Sequence, residues 1–268
     1  MSHYESVDGL VVTLDESVLR LRIDRAERHN ALTDDTVAAM ITAIDRAGED
    51  EAVRVIALSG TGADFCSGFD LGTRGRPAVK PRAGATQRNL RNGVNRLIST
   101  VLETQTPIVA AATGHVIGLG FALVLASDFA VVASDARLRT PFTTMGFTPD
   151  SGTSWLLPRI AGVARAKELL LLGREISGAQ AAEWGLVHRA VPAADVTAAA
   201  NELVAELARS ATVAVGLAKL LVQRGLTLDL ERQLADEALA IELSSRSEDF
   251  AEYWRSKREQ RAPDFTGR

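Results

Sequence analysis

"PIVAAATGHVIGLGFALVLASDFAVV", residues 107–132, decides the fold. Of all windows in the chain it comes nearest to a membrane span, which needs about 20 apolar residues without interruption. Glycines at 114, 118 and 120, His115 and Asp128 break it. It reads instead as two short apolar strands, "PIVAAATG" and "DFAVVAS", separated by a glycine-containing segment that turns helical near Phe121.

The flanking sequence has the same alternation. "VRVIALSG" (53–60) is a buried strand ending in glycine, followed by a loop rich in Gly, Arg and Pro (72–85) and a helix carrying Val94, Leu97, Ile98 and Val101. Upstream, "LVVTLDESVLRLRI" (10–23) holds two β-prone runs around Asp15, Glu16 and Ser17. In the second run Leu19, Leu21 and Ile23 alternate with Arg20 and Arg22, which predicts an antiparallel hairpin with one wet face. Residues 33–47 place Val37, Met40, Ile41 and Ile44 at helical spacing, with Thr33 as N-cap and Asp34 and Asp35 in the first turn. Strands alternating with helices predict an α/β architecture with a parallel sheet. From about residue 160 onward the pattern predicts helices only: "VARAKELLLLG", "SGAQAAEWG", "ADVTAAANELVAELARS" and two further amphipathic runs. Their apolar faces must be covered by the sheet or by another subunit.

Composition bounds the function. A chain of 268 residues, 46% hydrophobic and 24% charged, supports one large domain with a substantial core. A net charge of −4 with scattered basic residues gives no electrostatic basis for a nucleic-acid partner. Cys66 is the one cysteine, so no internal disulfide forms, and the N-terminal "MSHYESVDG" lacks the apolar run of a signal peptide. The expected setting is cytoplasmic, without membrane association.

Two glycine-rich segments sit at strand ends: "GTGADFCSGFDL" (60–71) and "GHVIGLGFALVLASD" (114–128). They either make tight strand-to-helix turns or turn backbone N–H groups toward a negative oxygen. Neither has the spacing of a dinucleotide loop or the lysine of a P-loop. Asp150 lies between Pro149 and a Ser-Gly pair in "TMGFTPDSGTSWLLPR" (144–159). Either it caps a helix starting near Ser151, or it is a proton-transfer carboxylate raised in pKa by Phe142, Phe147 and Trp155. Cys66 reads as a small buried thiol, and Ser151 and Ser154 lack a nucleophile elbow. His3, His29, His115 and His188 are scattered and predict no metal site. Arg74, Arg76 and Arg82 read as a solvated loop.

Six ordered blocks, "HNALT" (29–33), "GADFCSGFDL" (62–71), residues 107–132, "PDSGTSWLLPRIAG" (149–162), "LLGREISGAQAAEWGLVHRAVP" (171–192) and "RAPDFTGR" (261–268), are together similar to the enoyl-CoA hydratase/isomerase, or crotonase, superfamily. The resemblance covers nearly the whole chain. It implies a crotonase-like spiral of β-β-α units over residues 1–195 that carries the site, and a C-terminal helical region over 196–268 that builds a homotrimer, often stacked into a hexamer. The implied substrate is an acyl-CoA or enoyl-CoA, with coenzyme A present only as part of the thioester and no permanently bound cofactor. Carried over by position, the oxyanion hole consists of the backbone N–H groups of Phe69 and Leu119. Contacts to coenzyme A fall at Arg28, Ala31, Ser67, Asp70 and Leu71, and Lys257 is a candidate for the nucleotide phosphates.

The departures bear on the reaction. Hydratases of the family hold water between two glutamates, and the corresponding residues here are Ala122 and Phe142, neither of which can orient water or move a proton. In relatives with P-D-x-G at the turn, the aspartate shuttles a proton in isomerases and is a nucleophile in 4-chlorobenzoyl-CoA dehalogenase. The resemblance therefore implies an isomerase-type proton transfer by Asp150 first. Hydrolysis or aryl displacement with Asp150 as nucleophile, a silent acyl-CoA binder, and a hydratase using other groups are the alternatives. Phe69, Leu119, Phe121, Phe142 and Phe147 predict an apolar acyl pocket.

Overall fold

The computed structural model describes residues 4–72 and 81–268, so His3, Arg74 and Arg76 lie outside the described residues. The predicted hairpin is present as β1 (Leu10–Asp15) and β2 (Val18–Ile23), paired antiparallel with Leu10 opposite Ile23. Leu19, Leu21 and Ile23 point inward while Arg22 is exposed, because one face lies on the core and the other meets water. A 3-10 turn at Ala26–Arg28 leads into α1 (Asp34–Ala47), whose first turn is closed by reciprocal side-chain capping between Thr33 and Thr36. Val37, Met40, Ile41 and Ile44 form its buried stripe.

β3 (Val55–Gly60) pairs parallel with β2, and α2 (Ala85–Asn92) and α3 (Val94–Glu103) return the chain to β4 (Ile108–Ala112). There follow β5 (His115–Ile117), α4 (Leu119–Ala126), β6 (Phe129–Ala133) and β7 (Arg137–Arg139). The remainder is α5 (Thr153–Leu172), β8 (Glu175–Ser177), α6 (Gly178–Glu183), β9 (Arg189–Val191) and the helices α7 (Val196–Ala208), α8 (Thr212–Gly225), α9 (Leu230–Ser244) and α10 (Glu248–Glu259). Six strands form one sheet in the order β1-β2-β3-β4-β6-β9, parallel after the hairpin, and β5-β7-β8 form a second. After β4 the chain crosses between the two sheets repeatedly, at β5, β6, β7 and β9, winding as it goes.

The expectation of helices only beyond residue 160 is corrected by β8 and β9. Each spans three residues, too few for alternation to register, and each exists because a partner strand offers its edge: β7 for β8 and β6 for β9. Residues 107–132 owe their hydrophobicity to burial. All eight residues of α4 are buried between the sheets and neighbouring helices, so the helix is apolar all round. Among the described residues no helix is long and apolar enough to cross a membrane.

α7 packs across β3, β4 and β6, whereas α9 buries only Ala240 and leaves Leu230, Leu234, Leu239 and Ile241 exposed. α8 is joined to the core by a buried ion pair. Lys219 Nζ lies 2.8 Å from Asp128 Oδ2 and donates to the Val101 carbonyl at 3.0 Å, while Asp128 also accepts from the Ile108 N–H at 2.8 Å. Removing one partner of a buried pair strands the other charge, so Asp128→Ala should destabilise the fold by about 3–5 kcal/mol. Urea unfolding measures this; a loss under about 1 kcal/mol, the level of a surface pair, would show that the bridge holds nothing together.

Candidate active site

The site begins where two glycine-rich segments cross. Cys66 N–H donates to the His115 carbonyl at 2.9 Å, and Ile117 N–H donates back to the Cys66 carbonyl at 2.9 Å. This ladder brings the segment after β3 against β5 and the start of α4. Gly120 permits the contact, since a Cβ there would stand 2.4 Å from the Cys66 oxygen. Gly68 has φ +106°, and a Cβ on it would meet the Ile117 oxygen at 3.1 Å and the Leu119 nitrogen at 3.7 Å. Phe69 and Leu119 are therefore neighbours. Leu119 opens α4 behind Gly118, where no side chain caps the helix, and its N–H has no partner among the described residues. The helix dipole adds to its attraction for a negative oxygen.

Phe69 and Leu119 line a cavity of about 150 Å³ together with Leu71, Phe142, Phe147 and Asp150. Asn89 and Leu90 from α2 and Val94 from α3 complete a wall that no local pattern in the sequence announced. Phe142 and Phe147 meet edge to face, their ring centroids 5.8 Å apart. Phe121 is corrected from pocket to core: it is fully buried and does not line the cavity. Trp155 is not a lining residue either, and the Arg159 guanidinium lies 4.1 Å from its ring centre.

Of the two readings of Asp150, the structure removes the helix cap. α5 begins at Thr153 with Gly152 at its N-cap, and no side chain caps it. The backbone carbonyl of Asp150, rather than its carboxylate, accepts from Thr153 N–H at 3.1 Å and Thr153 Oγ1 at 2.9 Å. Its Oδ1 accepts a single bond, at 2.7 Å, from Ser151 Oγ. Ser151 is buried with φ +52°, a left-handed conformation that costs a serine about 1–3 kcal/mol. Burial pushes the Asp150 carboxyl above its usual range, and the Ser151 hydrogen bond offsets this only in part. Asp150 is the one ionisable side chain on the cavity wall among the described residues.

Residues expected to meet coenzyme A fall into three groups. Arg28, Ala31 and Ser67 lie together, with Ser67 Oγ donating to the Arg28 carbonyl at 3.3 Å, and exposed Leu71 stands at the cavity edge. Asp70 braces the loop: it accepts from Arg25 at 3.1 Å and from the Gly72 N–H at 3.0 Å. Lys257 is not brought to the others within the chain. α10 is tied through Asp249 to Thr266 and Gly267, and the adjacent Phe265 carbonyl accepts from Arg54 at the opening of β3, the end of that strand away from the cavity.

Burial pushes the Cys66 thiol up to about 12, so it is no nucleophile. The histidines are less scattered than the sequence suggested, because His29 and His115 converge on Asp64, a residue the sequence reading passed over. Burial raises the Asp64 carboxyl, but hydrogen bonds from both histidines outweigh this and hold it below its usual range. His188 stands apart, edge-on to Phe129.

The two-sheet winding fold, with Phe69, Leu119 and Asp150 on the wall of one apolar cavity, matches an acyl-CoA enzyme family. The chain belongs to the enoyl-CoA hydratase/isomerase family, whose model matches residues 13–268. It is 32% identical over 255 residues to the 1,2-epoxyphenylacetyl-CoA isomerase of Escherichia coli, covering 95% of this chain and 97% of that protein. It is 31% identical to the 4-chlorobenzoyl coenzyme A dehalogenase-1 of an Arthrobacter species, covering 88% and 86%. The solved enoyl-CoA hydratase of Bacillus anthracis superposes with a TM-score of 0.89 at 30% identity, covering 97% of this chain and 100% of that one. The fold is thus crotonase-like.

The buried carboxylate has a consequence for stability. Unfolded, Asp150 titrates near about 3.9. The folded chain holds its proton more tightly, so this contribution to stability is full below the unfolded value and is lost as pH rises through the raised folded one. Asp150→Asn, which never ionises, should therefore be more stable than wild type at neutral pH. The gain should shrink toward zero as pH falls to about 4. Urea midpoints at both pH values check it; a variant less stable at neutral pH would contradict the burial argument.

Proposed function

We propose that the protein is an acyl-CoA isomerase in which Asp150 moves a proton along an enoyl thioester. Asp150 takes a proton from the carbon next to the thioester carbonyl, and the electron pair of the broken C–H bond passes into an enolate. The Phe69 and Leu119 N–H groups hold the enolate oxygen, each contributing about 3 kcal/mol. Asp150 then returns the proton two carbons further along, and the double bond shifts. The observation that carries the reading is the isolation of Asp150: one acid with a raised pKa in an apolar cavity suits one proton carried out and back. Hydration by the glutamate pair has no counterpart here, since Ala122 is buried in α4 and Phe142 turns a ring into the cavity.

Coenzyme A, as part of the substrate, would lie along Arg28, Ala31, Ser67 and Leu71. The exposed apolar residues of α9 and α10 suit a homotrimer, alone or stacked into a hexamer, in which a neighbouring copy would bring Lys257 to the nucleotide phosphates. Light scattering on the eluting protein should give three or six times the mass of one chain, and a monomer would remove this part of the reading.

The reaction is tested by following deuterium uptake from heavy water into a panel of saturated and 3-enoyl-CoA thioesters. Wild type should exchange the α-proton and migrate the double bond, and Asp150→Asn should lose roughly 10²–10⁴-fold or more of both. Exchange that survives in the variant overturns the role of Asp150. A covalent adduct on Asp150, seen in the intact mass without exchange, would assign it instead as a nucleophile, the role suggested by similarity to the dehalogenase.

A further inference from the structure

The geometry points to a divalent transition-metal site formed by His29, Asp64 and His115, outside the acyl cavity. The three residues come from three separate segments: the loop before α1, the turn after β3, and β5. His29 Nδ1 lies 2.7 Å from Asp64 Oδ2, and His115 Nδ1 lies 2.7 Å from Asp64 Oδ1. One ligand atom from each residue falls within 4.8 Å of the other two.

The arrangement is built in advance by the backbone. Asp64 Oδ1 also accepts from the His115 N–H at 2.8 Å, and Asn30 donates to the Asp64 carbonyl. Gly114, beside His115, has φ +56°, and a Cβ on it would collide with Asp64 Oδ1 at 2.3 Å. The carboxylate is thus seated in a cradle that only glycine leaves open. Asp64 is mostly covered, His115 is one-third exposed and His29 is 63% exposed, so the site has a fixed floor and an open door.

Without metal, each imidazole donates its Nδ1 proton to a different oxygen of the one carboxylate. A metal ion takes the place of both Nδ1 protons: each ring changes to its Nε2–H tautomer, losing the Nδ1 proton to solvent and taking one up at Nε2. A neutral imidazole thus binds the metal through Nδ1 with no net proton release, and Asp64 supplies the oxygen ligand. Tetrahedral ligands about 2.0–2.1 Å from zinc stand about 3.4 Å apart, so the two 2.7 Å carboxylate contacts must widen by about 0.7 Å. The exposed ring of His29 is free to swing that far, and solvent fills the fourth position.

Charge agrees with a cation. With neutral imidazoles the local charges are Asp64 and Glu175 against Arg137, whose Nη1 stands 3.5 Å from His115 Nε2 and whose Nε is bound by Glu175 at 2.8 Å. One negative charge is left over. Two imidazoles and one carboxylate select Zn²⁺, Co²⁺, Ni²⁺ or Cu²⁺ over Mg²⁺ and Ca²⁺, which take oxygen shells.

The probe is Co²⁺, added to tag-free, chelator-stripped protein in buffer of fixed pH. Its visible d–d band reports binding, and Zn²⁺ competes it away. Wild type should bind one Co²⁺ per chain, and His29→Ala and His115→Ala should each weaken binding about tenfold or more. His29 is exposed, so its variant tests the site without disturbing the core; unchanged circular dichroism confirms this. Absence of stoichiometric binding, or binding equal to wild type in both variants, overturns the assignment.

Discussion

The close approach of two backbone segments, Cys66–Gly68 against His115–Gly120, is the constraint on which the site depends. Two reciprocal hydrogen bonds at 2.9 Å join Cys66 to His115 and Ile117, and the contact closes only because Gly120 has no Cβ to meet the Cys66 oxygen. A backbone N–H has no side-chain freedom to lose, so the ladder fixes the start of α4, and with it the Leu119 N–H, against the segment Cys66–Gly68. The same ladder explains why Cys66 is buried and inert, and why α4 can enter the interior without a polar face: its residues meet only strands and helices.

Asp150 stands at the other side of the cavity under the opposite logic. Nothing in its surroundings lowers its pKa except one serine hydroxyl, and that serine is held in a left-handed conformation. A carboxylate used for folding would be paired or would cap a helix, as Asp128 is paired with Lys219 and Thr33 caps α1. Asp150 does neither, although the start of α5 lies three residues away. Local strain and an unpaired acid, kept together in one short turn, are a stability cost of the kind borne by functional sites.

Much of the site was legible before the structure. Asp150, Phe69, Leu119, Ser67 and Leu71 all line one cavity, because motif positions after strand ends are set by local chain geometry. The opposite wall was not legible: Asn89, Leu90 and Val94 face the cavity only because α2 and α3 fold back across it, and nothing in their own pattern separates a wall from a core. Phe121 misled because, two residues on from Leu119 in α4, it points about 200° away from it and into the core. The meeting of His29 and His115 on Asp64 joins positions up to 86 residues apart in number, a distance that no spacing rule spans.

The sequence by itself determined the hairpin, the capped α1, the parallel buried strands and the interior character of residues 107–132, because periodicity, capping and glycine placement act over a few residues. It also placed Ala122 and Phe142, neither of which can move a proton, where the family resemblance puts the two hydratase glutamates. Only the tertiary structure decided that the three-residue strands β8 and β9 exist, since each is held by a partner's edge and not by its own propensity. It alone decided whether Asp150 caps a helix or faces a cavity. That choice turned on a single backbone angle at Ser151 and on which apolar side chains arrived from elsewhere to exclude water.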